Sequence, residues 1–189
     1  MRMLLVLAFA TLAGCATPRA APGVFASLTA LCGKAFEGRI VSPSVAADAS
    51  FAGKRLVMHV RECTPDTIRI PFHVGEDRSR TWVVSRTVGG FRLKHDHRHE
   101  DGSEDRLTQY GGDSVVRGSA MRETFPADAF TRQLLVREGN IAGASNIWAI
   151  EQHPGRSFAY ELRRPGRFFR VEFDLGRPVA PPPAPWGAR

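Results

Sequence analysis

Between Arg80 and Tyr110 the chain gathers the side chains best suited to do chemistry. His95, His97 and His99 alternate with Asp96 and Arg98, so on a β-strand their imidazoles leave from one face. Gly89-Gly90 is a hairpin signal that pairs the histidine strand with the one carrying Arg80 and Trp82. That register sets Val84 against His95, Trp82 against His97 and Arg80 against His99. Asp101-Gly102 is a second such signal, setting Glu104 against His99, Arg106 against His97 and Thr108 against His95. Cross-strand neighbours share a face. One face then carries Arg80, Trp82, His95, His97, His99, Glu104, Arg106 and Tyr110, continuous with the apolar Phe91 and Leu93; the other carries Lys94, Asp96, Arg98 and Asp105. The histidine face is expected to look inward, and a slip of one residue would invert it.

Three chemistries fit such a face. Arg80, Trp82, His95, His97, Arg106 and Tyr110 form a ligand set, with flat apolar surface from the aromatic rings and polar groups to orient a small polar or anionic molecule. Alternatively, His95, His97, His99 and Glu104 would hold a divalent transition metal. The run His97-x-His99-x4-Glu104-x6-Gly111 resembles the first motif of cupins, but the second, Pro-x-Gly followed by a histidine, is missing; His153-Pro154-Gly155 has the wrong order. Catalysis by a histidine base beside an arginine is the third. The chain has no nucleophile elbow, no His-Glu-x-x-His and no phosphate loop, so no catalytic residue is assigned. Against all three stands an ion-paired network in which Glu104, Asp96 and Asp101 satisfy the neighbouring Arg and His and only stabilise the hairpins. His59, His73 and His153 stand alone and read as structural.

The elements that position this face read as strands. Alternation with a period of two runs through Phe36–Ile40, Leu56–Val60, Ile68–Val74, Phe158–Leu162 and Phe169–Leu175. Gly53, Pro65-Asp66, Gly75, Gly89-Gly90, Asp101-Gly102, Gly111-Gly112, His153-Pro154-Gly155 and Pro165-Gly166 read as turns. Asp77-Arg78-Ser79-Arg80 reads as a charged turn before Trp82. About ten strands in sequential hairpins predict an all-β antiparallel meander, closed or nearly closed into a barrel so that its edges are paired. In strand count and order this resembles lipocalin-like and fatty-acid-binding-like barrels of the calycin kind. The lipocalin Gly-x-Trp is absent, since the first strand reads Lys34-Ala35-Phe36-Glu37-Gly38. Val24, Phe25, Leu28, Leu31 and Cys32 lie at helical spacing before Gly33, predicting one short helix. Asp128 is placed to cap another that carries Phe130 and Leu134, and Trp148 and Ile150 are core candidates.

The N-terminus carries a different signal. Arg2 precedes an apolar run from Met3 to Ala10, too short to span a bilayer, which takes about 20 apolar residues, but suited to export. The run ends in Leu12-Ala13-Gly14-Cys15, which resembles the lipobox of bacterial lipoproteins. That resemblance implies removal of residues 1–14 and acylation of Cys15, giving stable attachment to a membrane. With Ala at position 16 it implies the periplasmic leaflet of an outer membrane. Residues 15–23 then form a lipidated tether, 24–177 one barrel domain, and 178–189 a Pro-rich tail, extended or disordered and unable to form a central strand. With Cys15 lipidated, Cys32 and Cys63 remain in an oxidising compartment and are expected to pair. The net charge of +7 is almost all arginine. It favours anionic partners, but no basic helix or stacking motif points to nucleic acid.

The segments Ile70–Trp82 and Leu93–Gly102 resemble exported proteins and lipoproteins of Gram-negative bacteria, a resemblance that implies no activity. The leading expectation is a membrane-anchored periplasmic lipoprotein binding a small polar or anionic ligand in one end of its barrel. A metal-binding protein comes second. A structural envelope lipoprotein with no small-molecule site, meeting a protein partner through its outer face or tail, comes third.

Overall fold

The structure, a computed structural model, describes residues 23–114 and 121–188; the expected signal peptide, Cys15 and all of the tether before Gly23 lie outside the described residues. The alternating runs form strands β1 (Ala35–Ile40), β2 (Leu56–His59), β3 (Glu62–Cys63), β4 (Thr67–Val74), β5 (Asp77–Arg86) and β6 (Phe91–His97). They continue as β7 (Tyr110–Asp113), β8 (Arg122–Pro126), β9 (Ile147–His153), β10 (Ser157–Arg164) and β11 (Arg167–Val179). The helices are α1 (Val24–Thr29) and α2 (Ala129–Arg137). Asp77–Arg80 is therefore the start of β5 rather than a turn, because Gly75, at φ 59°, already makes the reversal.

The sheet order is β7-β6-β5-β4-β2-β1-β11-β10-β9-β8, with β3 paired to β4. Since β11 lies beside β1, the strands follow one another around the sheet in chain order, and the meander becomes an all-β, nearly closed antiparallel barrel. At the seam, β7 and β8 touch without a ladder. The Asp128 N–H donates to the Gly111 carbonyl at 3.0 Å. Gly111-Gly112, expected as a turn, is strand instead. A Cβ on Gly111 would stand 1.9 Å from the Leu93 carbonyl oxygen, and one on Gly112 would stand 1.7 Å from that of Pro126. Glycine here serves close backbone approach rather than chain reversal. The first turn of α2 completes the seam: the Thr131 hydroxyl donates to the Gly111 carbonyl at 2.8 Å and accepts from the Gly111 N–H at 2.7 Å. Asp128 caps α2 as expected, accepting from the Thr131 N–H at 2.8 Å.

Inward-phase residues fill the barrel, among them Phe36, Met58, Ile68, Ile70, Leu93, Ile150, Phe158, Val171 and Phe173. Trp148 joins them. Helix α1 has only 6 residues and no side-chain cap, so packing rather than propensity holds it. Val24, Phe25 and Leu28 are buried in the core, and the Phe25 ring stacks on Phe91 with centroids 5.7 Å apart. The Arg86 guanidinium lies 4.1 Å from the Phe25 ring centre.

Cys32, just after α1, is joined to Cys63 in β3, a sequence separation of 31. A loop of this length restricts the unfolded chain by roughly 3–4 kcal/mol in the chain-entropy model. The Cys32→Ser/Cys63→Ser double variant is expected to lose about that much stability in urea unfolding. A loss below about 1 kcal/mol would show that the bond adds little to what the packing of α1 already supplies.

The first two residues of the expected tail belong to the last strand. β11 continues to Val179, with Pro178 and Val179 opposite Phe36 and Ala35. Proline fits there because this stretch of β11 sits past the β10 pairing, which ends at Asp174, leaving a side of the strand with no neighbour to require an N–H. Beyond it the chain folds back over the outside of the sheet. The Trp186 backbone N–H donates to the Arg78 carbonyl at 3.1 Å, and Trp186 shares an outer groove with Arg69, Asp96 and Arg98. Asp96 is thus buried although it faces outward, accepting from Arg69 at 2.6 Å and Arg98 at 2.8 Å.

Candidate functional site

β5 and β6 are joined through a four-residue turn in which the Thr87 N–H donates to the Gly90 carbonyl at 2.9 Å. The register is consequently two residues from that of a two-residue hairpin: Trp82 opposes His95 and Arg80 opposes His97. An even shift leaves every side chain on its face, so Arg80, Trp82, His95 and His97 look inward as expected. Tyr110 joins them from β7, opposite His95.

These five side chains line a cavity of about 300 Å³ at the end of the barrel away from α1. Trp82 lies between Phe72, centroids 4.7 Å apart, and Tyr160, 4.4 Å apart. His95 stacks on Tyr110 at 4.5 Å. Phe51, Trp148 and Phe169 add further ring surface, and Leu107, Leu135 and Leu162 the aliphatic part. The polar groups on the cavity are Arg80, Arg164, Arg167, Asp105, Asn140 and Asn146.

The imidazoles are committed to the protein. His95 Nδ1 lies 3.1 Å from the Tyr110 carbonyl oxygen, which can only accept, so Nδ1 carries the proton. Nε2 then accepts from the Tyr160 hydroxyl at 2.7 Å. Burial, then neighbouring His97, pushes the His95 pKa down to about 3. His97 Nε2 lies 3.0 Å from the Tyr110 hydroxyl, and burial, then Arg80, lowers its pKa to about 4. Burial pushes the Tyr110 phenol up to about 12. Both imidazoles are neutral at pH 7, so any attraction for an anion comes from the arginines. Arg80 is paired with Asp77, and Arg167 with Asp48. Arg164 donates to Asn146 Oδ1 at 3.2 Å and has no carboxylate partner among the described residues.

The structure does not bring in Arg106, His99 or Glu104. Residues 98–109 form an irregular connection rather than a strand, its only bridge being Arg98 to Glu104. Asp101 accepts from the Ser103 N–H at 2.9 Å and Asp105 from the Leu107 N–H at 2.7 Å; Gln109 has φ 57°. Two such side-chain-closed turns break the period of two. Arg106 therefore points outward and pairs with Glu138 at 2.9 Å, Glu104 pairs with Arg98 at 2.9 Å, and His99 is exposed. Asp105, expected outside, lines the cavity instead. The metal set of His95, His97, His99 and Glu104 thus does not converge. Among the described residues no group of three or more His, Cys, Asp or Glu is placed to hold an ion.

Trp148, Tyr160, Arg164, Arg167 and Asn146 also line the cavity, and none of them was expected there. A signal existed for three of them, since Tyr160 lies in the inward phase of its strand and the two arginines extend such phases. Arg164 continues the inward phase of Phe158, Tyr160 and Leu162, and Arg167 opens that of Phe169, Val171 and Phe173. An arginine in the inward phase at the end of an apolar strand marks a barrel mouth. Phe51 comes from a 3-10 turn, Ala46–Phe51, which has no periodic signature. The barrel is of a kind able to enclose a ligand, and the chain matches no family model, no curated protein and no solved structure.

Proposed function

We propose that the protein is an exported, lipid-anchored envelope protein that holds a small organic ligand, ring-bearing and polar or anionic at one end, in the cavity beside Trp82. The single observation that carries the ligand reading is the composition of that cavity: about 300 Å³ walled by aromatic rings, with Arg80, Arg164 and Arg167 along it. Small-molecule sites have this character, mostly apolar with a few convergent polar groups. The anchor reading is supported by Leu12-Ala13-Gly14-Cys15.

The chain has 3 tryptophans, and their placement provides the test. Trp82 and Trp148 line the cavity, whereas Trp186 lies on the outer face. With ¹⁵N-labelled protein and 2-naphthylmethanol as probe, the indole N–H resonances of Trp82 and Trp148 are expected to shift saturably while that of Trp186 stays. Leu162→Trp, which fills the cavity from its wall, is expected to abolish the shifts. Equal movement of all three indoles, or of none, would sink the ligand reading.

A further inference from the structure

We infer that Arg164 is the anion-reading group of this cavity and that its ligand is a small aromatic monocarboxylate; this rests on the ligand-binding reading above.

The cations on the cavity differ in whether a carboxylate pairs with them. Of the three arginines on the cavity, Arg80 is held by Asp77 and Arg167 by Asp48. Among the described residues Arg164 hydrogen-bonds only a neutral amide oxygen, Asn146 Oδ1 at 3.2 Å, and the Asp48 carboxylate acts on it through space rather than in an ion pair. It is half-buried and stands directly across the β10–β11 hairpin from Arg167. Burial, and then the neighbouring Arg167 charge, lower its pKa from the usual arginine value, and the nearby Asp48 charge offsets this only in part. A guanidinium that is partly desolvated and beside another cation gains from an incoming anion what it lacks in the empty cavity. Among the described residues the one carboxylate that lines the cavity, Asp105, is on the connection between β6 and β7 and accepts from the Leu107 N–H. An anionic head is thereby directed to the β10–β11 side.

The charge and shape of the ligand follow. One unpaired guanidinium matches one negative charge, and its planar fork matches a carboxylate. A dianionic phosphate ester would leave a second charge facing arginines already engaged by Asp77 and Asp48. Below Arg164 the cavity is bounded by Tyr160, Trp82, Trp148, Phe169 and Phe51, a setting in which a flat arene packs edge-to-face or offset-stacked. The cavity of about 300 Å³ is at the small end for ligand sites, so a ring system of one or two fused rings is the size implied.

The test compares three probes by isothermal titration on the folded domain: 2-naphthoate, its neutral counterpart 2-naphthylmethanol, and octanoate. Naphthoate is expected to bind at least tenfold tighter than the alcohol, and tighter than octanoate. In Arg164→Gln the advantage of naphthoate over the alcohol should vanish while the affinity for the alcohol stays within twofold. Arg164→Lys should restore part of it, and Arg106→Gln, on the outer surface where Arg106 pairs with Glu138, should leave it intact. Asn146→Asp serves as a second variant if Arg164→Gln does not fold: a carboxylate at that position occupies Arg164 from within and should also erase the preference. Equal binding of naphthoate and alcohol, with the Trp82 and Trp148 resonances still shifting, would overturn the anion assignment but keep the cavity as a binding site. A naphthoate preference that survives Arg164→Gln would overturn it too, and octanoate binding best would overturn the aromatic class. Failure of every probe to bind would remove the ligand reading itself.

Discussion

Acidification from pH 7 to pH 5 is expected to destabilise the fold steeply, with unfolding taking up close to three protons per molecule. The groups responsible are His73, His95 and His97, whose native pKa values fall to about 4, 3 and 4 from the ordinary 6.5. Burial is the first cause in each case. For His73 it is followed by the charges of His59 and Arg78, opposed by Asp77. For His97, Arg80 adds to the lowering while Asp105, Asp77 and Asp96 oppose it. A depressed histidine pKa means that the unfolded chain binds protons the native state refuses. Stability is therefore full above pH 6.5 and falls as the pH drops towards the native values, by ~1.4 kcal/mol per pH unit for each group. Near pH 5 the three together give a slope of ~4 kcal/mol per pH unit, large against a total of roughly 5–15 kcal/mol for a domain. Below the ordinary carboxylate range Glu151 adds a loss of the same sign, because Arg170, His153 and Arg122 hold its pKa down to about 2 against its partial burial. Urea midpoints measured at half-unit steps check this, and His97→Gln should remove about a third of the slope. A midpoint unchanged between pH 7 and pH 5 would show that the imidazoles ionise freely in the native state and are not enclosed as described.

Trp82→Ala is expected to cost about 3–5 kcal/mol, the range for removing a fully buried large aromatic side chain. Trp82 is 2% exposed. It stacks between Phe72 and Tyr160 and meets Phe173 edge-on with centroids 6.2 Å apart, so its loss removes contacts on three sides. Those neighbours come from β4 and from the paired strands β10 and β11, which lie apart from β4 around the sheet, and cannot all close on the void. Trp82→Phe keeps a ring in the stack and should retain most of the stability. The same alanine variant enlarges the cavity at its floor and should weaken 2-naphthylmethanol binding as well. Denaturant unfolding followed by far-UV circular dichroism measures the first effect; a cost below about 1 kcal/mol would place the indole outside the load of the core.

The inward phase of the strongly alternating strands was legible from local spacing, and the Cys32–Cys63 bond from the expectation that Cys15 is taken up elsewhere, which leaves that one pair. The inward direction of His95 and His97 survived a two-residue error in register because side-chain direction depends only on whether the shift is odd or even. What failed was the stretch from Arg98 to Gln109. There Asp101 and Asp105 close turns through their own side chains, and Glu104, Arg106 and His99 end up on the outside. Gly111-Gly112 misled for a related reason: glycine marks both a reversal and a close contact, and only the position of the Leu93 and Pro126 carbonyls decides between them. Arg164 and Arg167 were written in the strand phase but lie far in sequence from the histidines. Only the closure of the barrel places them on the same cavity.

Strand β5 carries a further consequence. Arg80, near its start, lines the cavity, and Arg86, at its end, covers the Phe25 ring of α1. Six residues of extended chain separate the two by about 20 Å, so the opening and the helix occupy opposite poles. A support fixed at Gly23, the residue before α1, would therefore hold the molecule by the pole away from the opening, and a dissolved molecule would reach the cavity without crossing the supporting surface.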